Sequence, residues 1–119
     1  MKQHEKINYV EFPSTDLDAT KTFFTQVFGW SFVDYGPQYT AFSDKGIDGG
    51  FFKSNQTVST KNGSALIVFY STDLENTQSK IAHAGGTIIK PIFSFPGGRR
   101  FHFSDPNGNE YAAWSDVGS

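Results

Sequence analysis

The chain has 119 residues, no cysteine, 13 Phe, 5 Tyr, 2 Trp and a formal net charge of −2 from 10 Lys+Arg against 12 Asp+Glu. The length suits one domain that buries about 65% of its unfolded surface, and the missing cysteines exclude disulfides, thiolate metal sites and cysteine nucleophiles, so packing must supply the stability. There is no net basic field for nucleic acid or anionic lipid, no apolar run near the ~20 residues of a bilayer span, and no signal-like apolar stretch after the charged start Met1–Lys6; the expectation is a cytoplasmic protein without nucleic-acid or membrane partners.

The first predicted element is a strand over Ile7–Phe12, short and rich in β-branched and aromatic residues. A helix follows, with Thr15 or Asp16 as N-cap, Asp18 in its first turn, and Leu17, Thr20, Phe24, Val27 and Phe28 at spacings of three and four before Gly29. Three extended segments come next, Trp30–Tyr35, Tyr39–Ser43 and Gly49–Lys53, parted by the turn residues Gly36-Pro37 and Asp44-Lys45-Gly46. After a polar linker the order repeats. A strand over Ala65–Tyr70 leads to a helix capped by Thr72 or Asp73, carrying Leu74, Thr77, Ile81 and Ala84 and stopping at Gly85-Gly86. Extended segments over Thr87–Phe95, Arg99–Ser104 and Glu110–Ser115 complete it, separated by Pro96-Gly97-Gly98 and by Asp105-Pro106-Asn107-Gly108-Asn109.

The recurrence is also literal. S-T-D-L stands at Ser14–Leu17 and again at Ser71–Leu74, 57 residues on, and at the same offset Val10, Phe12, Thr20, Phe24 and Gly29 meet Ile67, Phe69, Thr77, Ile81 and Gly86. Further along, F-S-D at Phe42–Asp44 returns at Phe103–Asp105, offset by 61. The chain therefore reads as a single domain, residues 1–119, of α+β class: two βαβββ repeats, about 7–53 and 64–115, joined by a linker over 54–63.

The repeat resembles the vicinal oxygen chelate superfamily of glyoxalases, bleomycin-resistance proteins and extradiol dioxygenases. The resemblance rests on V-E-F-P-S-T-D-L-D-A-T-K-T-F-F-T-Q-V-F-G-W at 10–30, on S-T-D-L-E and A-G-G at 71–75 and 84–86, and on D-P-N-G-N-E at 105–110. It implies curved mixed sheets around a cleft, and a homodimer whose paired halves form the clefts. It also implies a divalent metal held by a His or Gln on the first strand and a Glu on the last strand of each half. The matching positions here are Tyr9, Leu66, Ala112 and Gly50 or Phe51. Apolar residues cannot coordinate and a lone phenol is a rare ligand, so no metal and no other cofactor is expected. A displaced site from Glu11, Glu110 and His102 is the metal-binding alternative.

Strand parity sorts the remaining candidates. Val10, Phe12, Ile67, Phe69, Tyr111 and Ala113 should pack on the helices, while Tyr9, Glu11, Leu66, Val68, Tyr70, Glu110, Ala112 and Trp114 should share the concave side. That set suits a flat, apolar or cationic small molecule, or else it fills the interior. Glu11, inside an apolar strand, is the candidate catalytic base or counter-ion, or a salt-bridge partner of Arg99, Arg100 or a lysine. Glu110, beside a turn, is expected to be exposed. Arg99 and Arg100 follow two glycines, either at an anion site or in a hairpin, and His102 either lines the cavity or caps a core hydrogen bond. His83, late in the second helix, should meet that helix's last carbonyls. The functional expectation is a metal-free binding protein for a small aromatic or cationic molecule. The alternatives are a metal-dependent lyase, isomerase or dioxygenase, and a non-catalytic dimerisation module.

Overall fold

The computed structural model describes residues 2–118 and runs β1 (Tyr9–Ser14), α1 (Leu17–Phe28), β2 (Val33–Asp34), β3 (Tyr39–Phe42), β4 (Asp48–Lys53), β5 (Val68–Tyr70), α2 (Leu74–His83), β6 (Thr87–Phe95), β7 (Gly98–Ser104) and β8 (Glu110–Ser115). The strands form two four-stranded mixed sheets, ordered β1-β4-β3-β2 and β5-β8-β7-β6, with β1 parallel to β4 and β5 parallel to β8. The βαβββ order therefore appears twice, and no barrel closes.

Local chemistry sets the helix limits. Asp16 and Asp73, rather than the threonines before them, are the N-caps; each carboxylate accepts from the amide three residues on, at 3.1 Å. The chain leaves α1 through Gly29 at φ 72, a left-handed conformation that glycine adopts without a Cβ penalty. His83 donates from Nδ1 to the Ser79 carbonyl at 2.8 Å, as expected for a late helical position.

Three strands are shorter or later than the sequence suggested. β1 starts at Tyr9, leaving Ile7 exposed, and β5 is cut to Val68–Tyr70. β2 keeps only Val33–Asp34, because Trp30 turns into the core and stacks on Phe24 at 4.7 Å between centroids. The polar linker is not a free spacer. A 3-10 turn at Thr60–Asn62 docks on β8, and Val58 exchanges backbone and side-chain bonds with Glu110 and Asn109.

One core takes side chains from both halves. Phe24 of α1 is fully buried and lies within 5.5–5.6 Å of Tyr111 from the second sheet and Phe51 from the first. Phe12, Tyr111 and Ala113 are buried in the same cluster, and Val10, Ile67 and Phe69 pack against it, as the parity argument required. Burying each large aromatic contributes roughly 1.5–3 kcal/mol.

The halves are also joined by the turn after β7. Asn109 is fully buried; its Nδ2 donates to the Pro13 carbonyl at 2.7 Å and its Oδ1 accepts from the Val58 amide at 2.9 Å. Asn107 Nδ2 lies 2.7–3.1 Å from Thr20 Oγ1, the Asp16 carbonyl and Ser14 Oγ. Asp105 shapes the turn by accepting from the Asn107 and Asn109 amides and from the Tyr111 hydroxyl. Burial pushes the Asp105 carboxyl above its ordinary value even against these donors. Burial, then the Asp105 charge, holds the Tyr111 hydroxyl far above its own, so it remains a donor.

Replacing Asn109 with alanine strands the buried Pro13 carbonyl and the partly buried Val58 amide, so Asn109→Ala should lose about 2–4 kcal/mol in urea unfolding. A loss below about 1 kcal/mol would show that the turn docks without these bonds.

Candidate functional site

Because both helices cover the same side of the two sheets, the opposite faces stay open, and each carries its own polar array. On the first sheet Tyr9 and Glu11 project from β1, and the register sets Glu11 beside Gly50 of β4 and Gly50 beside Ala41 of β3. A Cβ on Gly50 would collide with the ring and hydroxyl of Tyr39, so glycine here makes room for that phenol. Tyr39 donates to Glu11 Oε2 at 2.9 Å, which leaves its oxygen to accept from the Tyr9 hydroxyl at 2.6 Å. Burial, reinforced by the hydrogen bonds to Tyr9 and Glu11, raises the Tyr39 hydroxyl far above its ordinary value and keeps it a donor. Beside this chain of hydroxyls lies a groove of about 320 Å³ bordered by Tyr9, Val33, Tyr35, Ala41 and Asp48.

On the second sheet Glu110 is only 5% exposed, which corrects the expectation that it would be exposed beside its turn. It accepts from the Thr60 amide at 2.8 Å, the Thr60 hydroxyl at 3.0 Å and His102 Nδ1 at 2.9 Å. A guanidinium can only donate, so Arg100, 2.7 Å from His102 Nε2, leaves the imidazole proton on Nδ1, facing Glu110. Burial opposes the charged carboxylate, but the hydrogen bonds from His102 and Thr60 outweigh it and hold Glu110 below its ordinary 4.5. Arg100 in turn lies 5.8 Å above the Phe93 ring, and Tyr70 packs edge-on to Trp114 at 5.2 Å.

The eight residues expected on one concave cleft are thus not gathered into one opening. Tyr9 borders the 320 Å³ groove, while Leu66, Val68 and Tyr70 border a separate cavity of about 590 Å³. Glu110 and Ala112 are buried, and Trp114 is half-buried on the second sheet. Glu11 has Tyr39 as its partner rather than an arginine. Arg99 reaches back to Glu75 of α2 at 2.5 Å, and Arg100 is taken by His102. Pro96-Gly97 form the turn of the β6–β7 hairpin, with Gly98 opening β7 opposite Phe95, and His102 serves a buried hydrogen bond. Tyr39, Thr60 and Phe93 are site residues that the sequence reading does not mark. For Tyr39 the available signal was a tyrosine at the start of a strand whose partner strand carries Gly49-Gly50.

The metal-ligand positions can be tested on geometry. Glu11 pairs with Gly50 and Val68 with Ala112, so Gly50, and not the core residue Phe51, is the counterpart of Ala112. The set is then Tyr9, Gly50, Leu66 and Ala112, with the Tyr39 ring lying over Gly50, and this does not fit a divalent cation. The displaced alternative does not assemble either. Glu110 and His102 are bonded to each other, Glu11 is bonded to Tyr39 on the other sheet, and no three His, Cys, Asp or Glu residues converge among the described residues.

Residues 6–112 match the model of the Glyoxalase/Bleomycin resistance protein/Dioxygenase superfamily. The chain belongs to that superfamily. Solved structures agree on the fold. A glyoxalase-related enzyme from Fulvimarina pelagi superposes with a TM-score of 0.78 at 17% identity, covering 93% of this chain and 88% of that one. A glyoxalase/bleomycin resistance protein/dioxygenase family enzyme from Burkholderia phytofirmans PsJN gives 0.77 at 17% identity, over 92% and 98%. Lactoylglutathione lyase from Agrobacterium tumefaciens gives 0.71 at 20% identity, over 95% of both chains. No curated protein sequence matches the chain. Among the described residues of this superfamily member, no helix is long and apolar enough to cross a membrane.

The lowered Glu110 carboxyl has a pH consequence. Its stabilisation is complete above the ordinary 4.5 and is lost as pH falls through the lower folded value. Melting temperature should therefore drop on acidification below about pH 5, and Glu110→Gln should flatten that limb while lowering the plateau at neutral pH. An unchanged acid limb would assign the acid sensitivity to other groups.

Proposed function

We propose that this superfamily member binds a small aromatic or cationic molecule on the open face of its first sheet, without a metal, and that it works as a homodimer. The reading rests on the Tyr9–Tyr39–Glu11 chain beside the 320 Å³ groove. Tyr9, Tyr35 and Tyr39 offer ring faces, and Glu11 and Asp48 offer negative charge with no basic partner among the described residues. Such a surface attracts a desolvated cation by about 0.5–2 kcal/mol per well-placed ring and orients a flat one. Tyr39 fixes the carboxylate by donating to it, so the charge is presented in one geometry rather than swung freely into water. The second sheet supports the binding rather than catalytic reading, because the hydrogen-bonding capacity of its carboxylate is already taken up internally by His102 and Thr60.

The homodimer reading is supported by what the single chain leaves uncovered. Tyr9, Val68, Tyr70 and Phe93 are each 39–53% exposed on the open faces, an arrangement a second copy would cover while deepening the groove into a cleft. The metal-dependent alternative gains nothing from this geometry.

Benzyltrimethylammonium tests the site directly. Calorimetric titration should show saturable binding, and Glu11→Gln should weaken it about tenfold while shifting stability by less than about 0.5 kcal/mol, since Glu11 is exposed. Tyr39→Phe should weaken it as well, by releasing the carboxylate. Equal affinity in all three proteins would refute the site, and a monomer by sedimentation at micromolar concentration would refute the dimer. Complete absence of binding in a dimer would instead favour a module whose open faces are filled by its partner.

A further inference from the structure

The two halves are related by an internal repeat, and a cavity of about 590 Å³ lies where that repeat is broken. The sheet registers equate the halves residue by residue. Phe12 pairs with Phe51 as Phe69 pairs with Ala113, and Phe42 pairs with Gly49 as Phe103 pairs with Tyr111, so Gly49 is the counterpart of Tyr111. In the second half the fully buried Tyr111 ring fills the space between Phe12, at 5.5 Å, and Phe103, at 5.3 Å. In the first half the place of the Tyr111 ring is taken differently: the Phe42 ring lies where a Gly49 Cβ would project, and Trp30 stands between Phe42, at 4.5 Å, and Phe69, at 6.0 Å. These three rings border the 590 Å³ cavity.

The adjoining turns differ in the same sense. Residues 105–109 clamp the first half through Asn107 and Asn109, which hold Ser14, Thr20 and Pro13. The equivalent turn, 44–47, is one residue shorter and has Lys45-Gly46-Ile47 in place of the asparagines. Its hydrogen bonds stay local, from the Asp44 amide to the Asp48 carboxylate and from the Lys45 amide to the Ile47 carbonyl. The Ser71–Thr77 hydroxyl pair repeats Ser14–Thr20 at 2.7 Å against 2.9 Å, yet no asparagine reaches it among the described residues. One seam between the halves is therefore stitched by its turn, and beside the other, unstitched one lies the cavity.

We infer that this second seam is a binding site for a flat aromatic monoanion, separate from the open face of the first sheet. Its volume lies within the roughly 300–1,000 Å³ of small-molecule sites. Its walls are rings, Trp30, Phe42, Phe51 and Phe69 among them, which suit a fused aromatic body. Lys45 is the single charged residue of the lining, and no carboxylate pairs with it among the described residues, so an anionic substituent at the mouth gains a partner that a cation lacks.

The probe is 2-naphthoate, with neutral 2-naphthamide as its control. In a Trp114→Phe background the remaining tryptophan is Trp30, a wall residue, so binding should quench its emission saturably. Lys45→Glu should weaken 2-naphthoate about tenfold or more and leave 2-naphthamide within about twofold. Ile47→Phe, which adds bulk inside the cavity, should weaken both. Glu11→Gln, on the open face, should change neither. The inference is overturned if neither probe quenches Trp30, as when a partner chain seals the seam. It is equally overturned if Lys45→Glu leaves the two affinities unchanged, or if Glu11→Gln alters them as it alters benzyltrimethylammonium binding.

Discussion

A four-stranded sheet has two faces, and here two helices supply cover for only one face of each sheet. Phe24 makes the arrangement obligatory. Its ring meets Phe51 from one sheet and Tyr111 from the other, so both sheets must turn the same kind of face towards α1 and α2. The interior that results is dense in aromatic rings and free of cysteine, as the composition required. The far side of each sheet is consequently left without a helix, although Glu110, His102 and Ala112 are buried there on the second sheet. That is where the hydroxyls, carboxylates, His102 and Arg100 collect.

On those open faces, the positions that would hold a metal elsewhere in the superfamily have been put to another use. Gly50 has no side chain, and the space is taken by the Tyr39 ring, which carries a hydrogen-bond chain from Tyr9 to Glu11. On the second sheet the equivalent position is Ala112, buried beneath a self-contained Glu110–His102–Arg100 array. A carboxylate already satisfied by an imidazole, an amide and a hydroxyl has little left to offer a ligand. The two faces are therefore chemically unequal: the first keeps negative charge without a basic partner, and the second presents a guanidinium on an aromatic ring.

The same inequality runs through the seams between the halves. Tyr111 and two asparagines close one of them, and Lys45-Gly46-Ile47, which make no such clamp, border a cavity at the other. An internal repeat gives two equivalent places for each function. Divergence at a few positions then converts one copy to structure and frees the other, which is how a chain of this size accommodates both a tightly clamped core and open volume.

The sequence by itself determined the order of elements, the twofold repeat, both helices, the division of β1, β5 and β8 into core-facing and outward-facing residues, and the mismatch with a metal donor set. These are properties of short-range periodicity and of residue chemistry, and they survive without knowledge of which strands touch. Only the tertiary structure decided that Tyr39 partners Glu11, that Glu110 is buried under Thr60 and His102, and that Trp30 leaves its strand for the core. It also decided that Gly50 rather than Phe51 is the counterpart of Ala112. Each of these depends on strand register or on a contact between residues tens of positions apart, and a one-residue change of register would send every side chain to the other face.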